Sequence, residues 1–134
     1  MRAMRCAMIG LTLAPAMVAT PAVAKGVRGL ERVGQCANTR IKSVGTRLVD
    51  GSNNTPIAGS GSSVELLNGV YGVSYQQVPA VDRSRAGDAV RVCLVELPRN
   101  CPKGDDRGRY YKVTNARTKA SWTLPDAEHM CGGA

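Results

Sequence analysis

The feature that most constrains this chain is the placement of its cysteines about Ala24. Of five, Cys6 lies in a segment that reads as a secretory signal, and an even set of four, Cys36, Cys93, Cys101 and Cys131, follows it. The signal reading rests on order: Arg2 and Arg5 give a basic start, residues 6–18 an apolar run, and Ala22-Val23-Ala24 a small-residue cleavage site before Lys25. A lipid-bearing cysteine would have to follow the apolar run, and Cys6 precedes it. The expected product is therefore an exported chain, periplasmic or secreted, of 110 residues. In an oxidising compartment four cysteines form two disulfides by default. Spacings of 57, 8 and 30 positions contain no CxxC, and His129 is the only histidine, so no metal site is expected.

Four cysteines allow three connectivities. In Val90-Arg91-Val92-Cys93-Leu94 the apolar residues share one face, which leaves Cys93 on the other with Arg91. A loop turning back through Pro98-Arg99-Asn100 would bring Cys101 to that face. This favours Cys93 with Cys101, and leaves Cys36 with Cys131 to tie the domain's ends together.

The size of the remaining chain supports one small domain. The long apolar run is too short for a span, contains Pro15 and ends at a processing site, so no membrane span is expected once the signal is removed. Residues 25–35, Gly-rich and basic, read as a flexible leader, and residues 36–134 as a single β domain. No window keeps a helical period for three turns. From Thr39 onward short β segments alternate with turn chemistry; Gly45 and the neighbouring threonines suggest a first strand bent by a bulge. Residues 50–63 (DGSNNTPIAGSGSS) form a loop, as do residues 78–87 and 101–108.

Asn68-Gly69 suits a type I′ hairpin. Leu66 would then oppose Tyr71, and Val64 would oppose Val73, with Val64, Leu66, Tyr71, Val73 and Tyr75 on a core face. The valine-rich segment 88–97 reads as a central strand. Residues 109–114 and 119–124 form a second hairpin around a loop at 115–118, with Tyr111 opposite Trp122. Six such strands give an all-β fold: a small antiparallel meander, closed or half open as a barrel and stabilised by disulfides, with a two-sheet sandwich as the alternative.

Chemistry-bearing residues are few. His129 near Cys131 could form a nucleophile and base only if the thiol were reduced. Asp105 and Asp106 could serve as acid and base or hold calcium, but adjacent carboxylates do not flank a cleft, and three cations interleave them. No GxSxG, HExxH, SxxK, GxGxxG or P-loop pattern occurs in the exported part. Arg83, Arg85, Arg91, Arg99, Lys103, Arg107 and Arg109, with Tyr110 beside them, gather on and around the loops next to the central strand. Where such loops meet they make a cationic rim for an anionic surface. Nucleic acid would suit the same residues, but an exported protein does not meet it.

The segments GDAVRVCLVELPRNCPKGDDRGRYYKVTN and SWTLPDAEHMCGGA resemble a type of small exported bacterial protein without an assigned activity. In size, export and architecture alone the chain is also similar to periplasmic lysozyme inhibitors, small disulfide-stabilised β-barrels. No inhibitor motif matches residue by residue, and a basic chain suits a basic enzyme poorly. The expected function is an exported binding module, without cofactor, whose cationic rim contacts an anionic envelope component or an acidic partner. The alternatives are a small envelope enzyme, hydrolase or thiol redox protein, and a periplasmic protein inhibitor or assembly factor.

Overall fold

A computed structural model describes residues 30–133. The expected signal, residues 1–24, and the first part of the expected leader, residues 25–29, lie outside them. Six strands form one antiparallel sheet: β1 (Cys36–Thr46), β2 (Ser62–Leu66), β3 (Tyr71–Ser74), β4 (Ala89–Glu96), β5 (Tyr110–Asn115) and β6 (Ser121–Pro125). A one-turn helix, α1 (Pro79–Asp82), lies between β3 and β4, within a segment expected to be loop. Pro79 starts it with a preset φ, and Val81 is buried beneath it.

The spatial order is β3-β2-β1-β4-β5-β6. Two three-stranded meanders are thus joined side by side, with β1 of the first hydrogen-bonded to β4 of the second. The sheet curls through 214° into a half-open barrel. The inner face is apolar because the strands alternate with period 2. Val90, Val92 and Leu94 of β4, Tyr111 and Val113 of β5, and Trp122 and Leu124 of β6 pack there with Ile41, Val64 and Leu66. The irregularity in β1 falls between Ile41 and Ser43, whereas Gly45, the residue that suggested a bulge, is regularly paired with Ser63.

The half-barrel's open edges, β3 and β6, meet where Gly72 faces inward. A Cβ on Gly72 would stand 3.2 Å from Val64 Cγ1 and 3.4 Å from Leu124 Cβ. The missing side chain lets the first and last strands in the sheet approach.

Several details depart from the sequence reading. The disulfides join Cys36 to Cys93 and Cys101 to Cys131, and not Cys93 to Cys101. The physical reason is where β1 begins. It starts at Cys36, three residues before Thr39, so Cys36 faces Cys93 directly across the sheet with Cα atoms 4.0 Å apart. Cys101, in the β4–β5 loop, then meets Cys131 in the C-terminal tail. Leu30, inside the stretch expected as a leader, is only 2% exposed and packs into the core.

The first hairpin runs one residue out of the expected register. Gly69 has a positive φ of 83° but Asn68 does not, and Leu66 exchanges backbone hydrogen bonds with Gly69 and Val70. The connection is a three-residue loop with glycine at its left-handed position, not a two-residue type I′ turn. Val64 therefore opposes Gly72, and Tyr71 opposes Glu65 on the outer face. Tyr75 is 55% exposed, so neither Tyr71 nor Tyr75 belongs to the inner core. The second hairpin is displaced by two residues, with Tyr111 opposite Leu124 and Val113 opposite Trp122. An even displacement preserves the faces, so Tyr111 and Trp122 are buried as expected.

On the chain-entropy view, the 57-residue closure by Cys36–Cys93 contributes about 4 kcal/mol. The double variant Cys36→Ser, Cys93→Ser is expected to lose that much in urea unfolding; an unchanged midpoint would contradict it. Gly72→Val should cost about 1–3 kcal/mol through overpacking between β3 and β6, read as a lowered thermal midpoint.

Candidate functional site

The most buried polar cluster lies where β4 begins and the β5–β6 turn closes. Asn115 continues the inward alternation of Tyr111 and Val113 and is fully buried, so its amide needs partners. Its Nδ2 donates to Ser84 Oγ at 2.9 Å and to Asp88 Oδ2 at 2.8 Å, and its Oδ1 accepts from the backbone N–H groups of Arg117 and Thr118. Arg117 grips Asp88 with Nε on Oδ1 at 2.6 Å and a terminal nitrogen on Oδ2 at 2.8 Å, and also donates to the Arg83 carbonyl. The Asp88 carboxylate further accepts from the Arg85 backbone N–H. The Arg117 hydrogen bonds, followed by those from Asn115 and Arg85, hold this carboxyl below the usual carboxylate range against the opposing effect of burial. The network joins the α1–β4 loop to the β5–β6 turn and fixes the backbone that carries Arg83 and Arg85.

At the other end of the strands the C-terminal tail is clasped. Asp105 accepts from both sides of the Arg107 guanidinium at 2.8 Å and from the Gly132 backbone N–H at 2.9 Å. Arg107 foremost, then Gly132, keep its carboxyl well below the ordinary range. Asp126 Oδ1 accepts from the backbone N–H groups of Gly108 and Arg109, and the Cys101–Cys131 bond completes the clasp. Asp126, Arg107, Tyr71 and Tyr111 line a cavity of roughly 120 Å³ here. Beside it, at the β3–β6 seam, Arg47 lies 4.3 Å over the Tyr75 ring and 3.3 Å from Glu128.

These positions divide the expected cationic rim. Arg83 and Arg85 precede β4, whereas Arg99, Lys103, Arg107 and Arg109 follow it, with roughly 24 Å of strand between them. Arg91 stands on the outer face of β4. Tyr110 lines the seam with Tyr75 and Met130. At the far end Arg107 is paired with Asp105 and Arg109 with Asp106, and Glu96, Asp126 and Glu128 lie nearby in the fold. The near end differs: Arg83, Arg85, Arg117, Lys119 and Arg40 surround two carboxylates. Asp88 is buried in the network, and Asp82 accepts from Ser62 Oγ. Arg40, Lys112, Arg117 and Lys119 were not singled out from sequence. The readable signal was Asn115, a polar residue at an inward position of an apolar alternation, which demands a buried network beside a turn rich in Arg and Lys.

The expected catalytic arrangements are not assembled. Cys131 is bonded to Cys101, His129 is exposed, and Asp105 is committed to Arg107 and Gly132. Among the described residues no group of three or more His, Cys, Asp and Glu side chains is placed to hold a metal ion, and no helix is long and apolar enough to cross a membrane. Comparison with family models, with curated proteins and with solved structures gives no match.

Because the Asp88 and Asp105 carboxyls are depressed in the folded state, they stabilise it fully above the unfolded carboxylate value of about 4. Their contribution is lost as pH falls below that value through their folded ones. The thermal midpoint is therefore expected to fall from about pH 4 downward, and Asp88→Asn should flatten that decline. An identical acid limb in the variant would show that Asp88 is not the group responsible. Asn115→Ala should lower stability by about 2–3 kcal/mol in urea unfolding, since it removes one partner each from Ser84 and Asp88 and leaves the Arg117 and Thr118 backbone donors without their acceptor.

Proposed function

We propose that this chain is a non-enzymatic binding module that works in the periplasm or outside the cell, engaging an anionic partner through the basic surface around the start of β4. One observation carries the reading: the cations are distributed unevenly along the strands. The far-end arginines Arg107 and Arg109 are neutralised by Asp105 and Asp106. Near the start of β4, Arg83, Arg85 and Lys119 are exposed; Asp88, buried and gripped by Arg117 and Asn115, lies 3.6 Å from Arg85 Nε, and among the described residues Arg83 and Lys119 have no ion pair. The shorter Asp88 bonds go to Arg117 and Asn115, and Arg85 stands farther from the carboxylate with its side chain in solvent. Two disulfides suit an oxidising compartment, as does the signal expected over residues 1–24. With Cys131 oxidised, the thiol enzyme has no nucleophile.

Opposite charges attract over about 8 Å at physiological salt and are screened beyond it. Binding of the purified chain to an anionic envelope fraction should therefore weaken steadily from low to high salt. Arg83→Glu with Arg85→Glu should reduce it about tenfold, chiefly through slower association. Binding that stays flat across that salt range would remove the proposal.

A further inference from the structure

The outer face of the sheet carries a pattern of its own. Asn38, Arg91, Thr114 and Ser121 are direct neighbours across β1, β4, β5 and β6. They form a polar rung in which all four side chains are exposed. The next rung in one direction is the Cys36–Cys93 bond followed by Lys112 and Thr123. In the other direction Arg40 stands opposite Ala89. Across these three rungs no side chain is acidic; Glu96 enters only one rung beyond, opposite Tyr110. Arg40, Arg91 and Lys112 are each offset by one rung on successive strands, so they lie on one diagonal with steps of roughly 7–8 Å. Among the described residues Arg91 and Lys112 have no ion pair. A shallow groove of roughly 310 Å³ runs past Asn38, Arg91 and Thr114.

We infer that this face binds an acidic polysaccharide laid along the Arg40–Arg91–Lys112 diagonal. The inference rests on the binding-module reading above, gives it a partner class and adds a second contact surface on the outer face beside the start of β4. A line of cations at regular steps suits an elongated polymer with repeating carboxylate or sulfate groups. The amide of Asn38 and the hydroxyls of Thr114, Ser121 and Thr123, interleaved with those cations, offer both donors and acceptors to sugar hydroxyls. Single-stranded nucleic acid would bring phosphates but also bases that need aromatic stacking partners. No ring stands on the three rungs; the nearest, Tyr110, is half-buried at the seam.

The test uses alginate oligosaccharides as the uronate polymer, with neutral dextran and an oligothymidylate as comparisons, measured by titration calorimetry at low and moderate salt. Alginate is expected to bind in a salt-sensitive way, more tightly than oligothymidylate, with no binding to dextran. Arg91→Glu with Lys112→Glu should weaken alginate binding by roughly tenfold or more, and Arg83→Glu with Arg85→Glu by less. Both substituted residues of the first pair are exposed, so its melting temperature should stay near that of the parent. If the reversed pair fails to fold, Arg91→Gln with Lys112→Gln is used, with a smaller loss expected. Unchanged alginate binding in the Arg91 and Lys112 variants, equally tight oligothymidylate, or dextran binding as strong as alginate would each overturn the inference. If alginate does not bind while an anionic envelope fraction still does with salt sensitivity, the polysaccharide assignment falls and the broader reading stands. If neither binds, both fall.

Discussion

The pairing of β1 with β4 is the constraint on which the rest of the fold depends. It is the only hydrogen-bonded strand contact between the two meanders among the described residues. Without it β1-β2-β3 and β4-β5-β6 would be separate three-stranded ribbons, each with one apolar face uncovered, and near the lower limit for independent stability. Cys36–Cys93 lies directly across this junction, where it fixes the register as well as closing a long loop. A slip of one residue would turn Val90, Val92 and Leu94 away from the inner face. The bond therefore protects the alternation on which the core is built.

Parity explains much of what was legible in the sequence. The alternation in β4, β5 and β6 identified their inner faces, and an error of two residues in the second hairpin left Tyr111 and Trp122 in place. In the first hairpin an error of one residue inverted a face, sending Tyr71 outward and leaving Gly72 to face Val64. The difference arose in the turn: Asn-Gly supports either a two-residue or a three-residue connection, and only the fold chooses between them. The cysteine pairing failed for a related reason. Cys36-Ala37-Asn38 lacks a strong strand signature, and it is strand because β4 offers it a ladder to join. The basic loops were recognised, but their ends were not, since a sequence does not state which loops lie together until strand order is known.

Charge follows the same architecture. At one end Asp105, Asp106 and their arginines form a closed local system around the clasped tail. At the other, burial of Asp88 uses one carboxylate to organise two loops without presenting it to solvent. Arg83 and Lys119 are left facing solvent with no ion pair among the described residues, while Arg85 stays 3.6 Å from the buried carboxylate. A net charge alone would not distinguish a solubilised surface from a directed one; this placement gives the start of β4 a local excess of positive charge.

Gly72 carries a consequence for behaviour at high concentration. An open half-barrel has two edge strands whose unpaired backbone groups are templates for other chains, the usual route to edge-to-edge association. Here β3 and β6 are turned toward each other at the seam, close enough that a side chain on Gly72 would press on Val64 and Leu124. Each edge screens the other without a hydrogen-bonded ladder between them, and Glu128 of the tail reaches across to Tyr75 and Arg47. A single missing methyl group thus allows an incompletely closed sheet to discourage its own polymerisation.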